Sequence, residues 1–503
     1  MAKNQEIKYN FSGKWDDVSN VLRQFSVADA LKRINKESIA LFYNNSNSDI
    51  RGTKRVKFNL FHKGNPFPEQ HEVMIMAWAL IDLAYYLIKT SNDFRGKKIE
   101  YDAELYILQE AVDNYKERNE HDFLENQDEQ KIDFFMYLWG FAGEQFKTES
   151  PAIVLDNQSR DLYILFEIND PSEFNIEESL SAETGITWQM IIAYLTLAWV
   201  EFTQVDTLDE VNKRIGWKNP DNEKEFVNLL ERYTADYQCV RESQMGRQIL
   251  YVKPYIHTQK GEVVSVSAYL NYFLCEHSVL WIVRDRFKNL DRQDFVNYFG
   301  NLFEKYFAEL LGCTLGKNEY EKIPEEKEKR ADWKICCGKH KILVEQKSAI
   351  MRLSAKQQET DVSAIKSFAV KTVIKAMRQL ERTENDFGAG KYIKIILIYE
   401  DYLKPEILEQ IMDMPECDVE NDNYYWLVTI SEMERLLTVA KNDRKKFDDI
   451  ICDKVDRELH HSLAGKSLDQ LLDEHGVTDN EYIRQEKFMK YRNAAQDAAR
   501  SFL

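Results

Sequence analysis

Apolar and polar positions follow two different rhythms along this chain, and the change between them divides it. From residue 15 to about 242 the apolar residues recur mostly at helical spacing, predicting helices over 18–34, 73–88, 103–118, 131–146, 188–202 and 224–237. Strand-like runs break in at 56–61 and 162–166. Polar stretches at 44–52, 64–68, 119–130 and 217–223 separate these elements. The aromatics Trp78, Tyr85, Tyr86, Trp139, Trp188 and Trp199 share the helical spacing and read as core. A small hairpin is predicted from 248–254 and 261–266, then a helix over 269–287.

From residue 294 helical spacing and short β-prone runs follow one another. A helix over 294–311 carries Phe295, Phe299, Leu302, Phe303, Phe307, Leu310 and Leu311 on its apolar side. Two short β-prone runs follow, 334–337 and 341–344, with Gly338-Lys339-His340 as the turn. A second amphipathic helix spans 363–383, with Ile365, Ala369, Val373, Ala376 and Leu380 on one side. Residues 392–399 and 424–430 read as largely buried strands. Ser431 to Glu434 has the spacing of a capping box, and 467–475, closed by Gly476, and 480–501 form a polar helical tail.

These elements predict a multidomain α/β protein. It has a mostly helical N-terminal domain (1–245) for regulation, assembly or recognition, a connecting hairpin and helix (246–290), an α-β-β-α-β core (291–440) and a helical C-terminal tail (441–503).

The chemistry concentrates in the hairpin. Folding it brings Asp332 back beside Glu345, and the two-residue period of a strand points Glu345 and Lys347 to one face and Gln346 to the other. Carboxylates at the end of an apolar strand call for a partner charge or a metal ion. Glu-x-Lys alone is common here, recurring at Glu6, Glu129 and Glu325, so the weight rests on its setting between two amphipathic helices. Cys336-Cys337 with His340 does not suggest zinc, because adjacent strand residues face opposite ways.

In this order of helix, hairpin, helix and strand, the segment 294–439 resembles the PD-(D/E)xK, or restriction-endonuclease-like, nuclease superfamily. By position Glu304 matches the helical acid of that family, Asp332 the first hairpin acid, Glu345 and Lys347 the (D/E)xK pair, and Gln379 the glutamine of the following helix. Ala331 stands where the family name has proline. The resemblance implies Mg²⁺, with Mn²⁺ as a substitute, held by Glu304, Asp332 and Glu345. It also implies DNA as substrate, with catalysis by Asp332, Glu345, Lys347 and Gln379. The helical N-terminal half ahead of such a core is similar in style to bacterial anti-phage defence nucleases, which implies a protein trigger or partner subunit. Two other outcomes stay open: an RNase, or a catalytically silent nucleic-acid-binding or assembly protein on the same fold.

Charge adjusts this picture. The 503 residues carry a formal charge of −18, which disfavours indiscriminate nucleic-acid binding. Residues 347–382 nevertheless hold eight basic side chains against three acidic ones. Among the basic ones Lys356, Lys366, Lys371, Lys375, Arg378 and Arg382 are candidate phosphate contacts. The absence of an apolar leader and seven scattered cysteines suggest a cytoplasmic protein with reduced thiols and no membrane segment, and the tail suits a homodimer or larger oligomer.

Overall fold

The computed structural model describes residues 14–43, 52–60, 69–125, 152–292, 294–324, 329–348, 367, 369–388, 390–399, 408, 411–419, 424–459 and 467–502. The predicted helix 131–146, Trp139, Lys356 and Lys366 lie outside them.

The chain opens with α1 (Trp15–Leu22) and α2 (Val27–Tyr43), an antiparallel pair β1 (Thr53–Leu60) and β2 (Glu69–Met76), then α3 (Ala77–Thr90) and α4 (Asp102–Glu125). Next come α5 (Ala152–Tyr163), α6 (Ile176–Thr184), α7 (Trp188–Glu201), α8 (Leu208–Ile215) and α9 (Pro220–Glu231). A three-stranded sheet is built from β3 (Thr234–Asp236), β4 (Tyr255–His257) and β5 (Val263–Ser265), with α10 (Tyr237–Glu242) and α11 (Ile249–Val252) between its first two strands. Two helices, α12 (Ala268–Leu274) and α13 (Ser278–Asn289), lead into α14 (Asp294–Thr314).

The five-stranded sheet follows: β6 (Tyr320–Lys322), β7 (Trp333–Cys337), β8 (His340–Lys347), then α15 (Lys375–Phe387), β9 (Ile393–Ile398) and β10 (Tyr425–Thr429). Its strand order is β10-β9-β8-β7-β6. The three strands β6, β7 and β8 pair antiparallel, while β8, β9 and β10 run parallel. Helices α16 (Ile430–Asn442), α17 (Arg444–Leu459), α18 (Leu468–Glu474) and α19 (Glu486–Phe502) complete the chain.

The pleat sorts the sheet's side chains. Trp333, Ile335, Ile342, Val344, Ile395, Leu397, Trp426 and Val428 enter the core shared with α14 and α16. Leu343, Ile396, Ile398, Tyr425 and Leu427 enter a second core with Val373, Ala376, Met377 and Leu380. The two-residue turn at Gly338 and Lys339 places Gly338 at φ 60°, the positive φ that a tight hairpin demands of its first central residue. A Cβ there would run into the Asp448 carboxylate.

Several sequence expectations are corrected. Residues 162–166 are the end of α5 and the start of a π-helical turn (Ile164–Ile168), not a strand. Leu162, Tyr163, Ile164 and Leu165 are all buried, and a short apolar run buried all round looks the same in either conformation. Residues 73–76 belong to β2, so the helix expected over 73–88 begins at Ala77. The segment 248–252 is helical and the small hairpin uses 255–257 with 263–265. The box that caps α16 is Thr429 with Glu432, leaving Ser431 and Glu434 for other partners. The hydrophobic core does not change at residue 245. Residues 154–230 pack in the same core as one face of the five-stranded sheet and the C-terminal helices, whereas residues 18–112 share theirs with much of 235–270, from which Tyr255 and Val263 turn to the first core.

Candidate active site

Three segments meet at the C-terminal end of β8. The β7–β8 register sets Trp333 opposite Val344, so Asp332 falls one step further, beside Glu345. Asp332 is held by its backbone on both sides: its N–H donates to the Val344 carbonyl (3.0 Å) and its carbonyl accepts from Ile323 (2.9 Å). Its side-chain Oδ2 accepts the Gln346 N–H at 2.7 Å.

Glu345 is the unusual member. It is 3% exposed, Lys347 donates to its Oε1, and its Oε2 finds no hydrogen-bond donor. Burial, then the Asp332 charge, push the Glu345 carboxyl up to about 8, against the lowering pull of Lys347. Burial also raises Asp332, opposed by the Gln346 N–H and the Lys347 charge.

Lys347 Nζ donates to Gln379 Oε1 at 3.0 Å, and Gln379 Nε2 donates to the Arg330 carbonyl at 3.1 Å. Gln379 is thus a buried bridge from α15 to the hairpin. The departure at Ala331 has a structural reason. Its N–H donates to Thr383 Oγ1 at 2.8 Å, a bond that proline could not make.

Glu304 stands apart from this group. It is a third exposed on α14 and paired with Lys322 at the end of β6, although its charge reaches Asp332. The small residue next to it in the helix serves the chain rather than an ion: a Cβ on Gly300 would lie 3.0 Å from Ser348 Oγ. Gln346, on the opposite face as expected, accepts from Trp333 Nε1 at 2.8 Å and donates to the Phe303 carbonyl at 3.3 Å. It ties β8 to α14. Neither this tie nor the Lys322 pair left a local signal in the sequence.

Lys371, Lys375, Arg378 and Arg382 are exposed along the outer side of the helix whose inner side carries Gln379. Arg378 is already engaged, donating to Asp418 Oδ1 at 2.6 Å and to the Glu416 carbonyl at 2.9 Å.

Among the described residues, no group of three or more His, Cys, Asp or Glu side chains is gathered as a metal ligand set. The hairpin offers two. Glu345 is buried, the charge of half-buried Asp332 beside it raises its carboxyl, and one Glu345 oxygen lacks a donor. Such a pair fits a hard divalent cation that brings water for its remaining positions. No helix among the described residues is long and apolar enough to cross a membrane, and the seven cysteines are free.

Compared with family models, curated proteins and solved structures, the chain matches none.

Proposed function

We propose that this protein is a metal-dependent nuclease that hydrolyses phosphodiester bonds of DNA, with a restriction-endonuclease-like core over residues 291–440. The observation that carries this reading is the donorless oxygen of buried Glu345 beside Asp332, with Lys347 on the same side. A carboxylate left in this state is destabilising to the fold, and bound cation would offset the cost. The order α14, β6–β7–β8, α15, β9 supports the reading as well.

In this proposal Asp332 and Glu345 hold Mg²⁺ or Mn²⁺, with Glu304 reaching the site once it leaves Lys322. The bound ion supplies a water of lowered pKa and neutralises charge on the phosphate. Lys347, once released from Glu345, would orient the attacking water and contact the scissile phosphate, while Gln379, which already accepts from its ammonium, would keep that group in place. Work as the effector of an anti-phage defence system is the biological context we propose with it, and cutting that rises only when a trigger is added would separate it from a housekeeping nuclease.

A second reading is favoured by one observation. Lys347 and Lys322 already pair with Glu345 and Glu304, an arrangement that suits a catalytically silent nucleic-acid-binding or assembly protein.

Cleavage of plasmid, single-stranded DNA and RNA with Mg²⁺, Mn²⁺ or chelator, beside the Asp332→Ala/Glu345→Ala double variant, tests the proposal. Metal-dependent cutting lost in the variant is expected, with Lys347→Ala lowering turnover more than metal affinity. Cutting that survives in the double variant would sink the site, and RNA cut in preference to DNA would overturn the substrate.

A further inference from the structure

Residues 157–161, Asn-Gln-Ser-Arg-Asp, are consecutive, polar and all buried in α5. Each one is used. Asn157 Nδ2 donates to Glu276 Oε1 at 2.8 Å and Gln158 Nε2 to the Cys275 carbonyl at 2.6 Å. Ser159 Oγ accepts from Arg492 Nε at 2.8 Å. Arg160 grips Glu434 with Nε and Nη2, both at 2.7 Å, and Nη2 also reaches Ser431 Oγ at 2.7 Å. Asp161 Oδ2 lies 2.7 Å from His277 Nδ1, and its Oδ1 accepts the Tyr399 hydroxyl.

The last contact leads to the candidate active site. Tyr399 directly follows β9, and its N–H donates to the Lys347 carbonyl at 3.3 Å. Its ring packs edge-on against Phe299 and Phe303, with centroids 5.1 Å away in both cases, on the helix that carries Glu304. One residue therefore touches α5 and α14 through its side chain and the end of β8 through its backbone. An apolar residue could fill the same space without burying a carboxylate, an imidazole and a hydroxyl, and buried polar groups of this kind fix one arrangement among alternatives. Helix α5 also runs on into the π-helical turn at Ile164–Ile168, an irregularity where a helix can change register.

We infer that Asp161 and Tyr399 are positioning residues through which α5 sets the C-terminal ends of β8 and β9, so that the helical layer governs the alignment of Lys347 beside Glu345. This rests on the nuclease reading for its purpose, but not for its detection.

The test is residue-level hydrogen exchange on the full chain carrying Tyr399→Phe, Asp161→Asn or both, with cleavage kinetics alongside. Tyr399→Phe keeps the ring packing and Asp161→Asn keeps the volume, so either variant can answer if the other does not fold. Each single change is expected to speed exchange of the Tyr399 amide about tenfold, leaving Val112 in the other core unchanged. The double variant should go no further than either single one, and kcat should fall with KM unchanged. Exchange that rises equally throughout, that adds in the double variant, or that does not change at Tyr399 overturns the inference. A wild type that cuts nothing under any condition would count against the nuclease reading instead, with the exchange result standing alone.

Discussion

Glu345 and Glu434 are both buried glutamates in contact with the five-stranded sheet's surroundings, yet their surroundings treat them in opposite ways. Glu434 is fully buried, and every lone-pair direction has a donor: Arg160 on both oxygens, Tyr306 on Oε1 and Asn480 on Oε2. Glu345 has one lysine on one oxygen and none on the other, with a second carboxylate beside it. The first glutamate holds segments together. The second is left short of positive charge, which is the condition that a cation would relieve.

The comparison can be broken in four places. The largest expected effect is on activity: Glu345→Ala or Asp332→Ala should lower metal-dependent cleavage by about 10³-fold or more while the thermal midpoint stays level or rises. A plasmid assay and a melting curve on the same preparation decide it, and a sharp fall in melting temperature would place Glu345 with Glu434 as a structural residue. Next is Glu434→Ala, which leaves Arg160 buried without its anion and should destabilise the fold by roughly 3–5 kcal/mol in urea titration.

Third, stability should depend on pH through Glu345. With its carboxyl pushed up to about 8 from 4.5, the folded state keeps a proton that the unfolded chain has released across that window. Stability therefore falls as pH rises from about 4.5 to about 8, with the penalty absent below and complete above. Denaturation from pH 4 to 9 should show Glu345→Gln removing a loss on the order of a few kcal/mol, and saturating Mg²⁺ should remove part of it in the wild type. Identical curves for the two proteins would mean Glu345 is not held protonated.

The smallest effect belongs to the basic stripe. Changing Lys371, Lys375 and Arg378 together to Ala should make the slope of log K against log salt shallower by about 2, since Arg378 is already occupied by Asp418. Fluorescence anisotropy with a labelled duplex reads this directly, and an unaltered slope would make the stripe a solvated helix face.

Much of the site was legible because its elements are local. The short β-prone runs at 334–337 and 341–344 and the glycine at 338 announce a hairpin, and a hairpin of that length returns Asp332 to Glu345. Gln379 was singled out only through the resemblance, since nothing near it in the chain says that its inner side is buried against Lys347. Glu304 was placed on the correct helix, but its pairing with Lys322 depends on β6, whose three residues carry no clear period. The element type was misjudged where an apolar run is buried nearly all round, as at 162–166, which reads as a strand and is helical.

By itself the sequence determined the hairpin, the helices on either side of it and the polarity of each face, because residues two to four apart set these. Tertiary structure decided which polar groups are satisfied. The burial of Asn157 to Asp161, the donors around Glu434 and the missing donor at Glu345 join residues up to hundreds of positions apart. Whether a charge is solvated, paired or stranded depends on what the rest of the chain folds against it, and no local pattern encodes that.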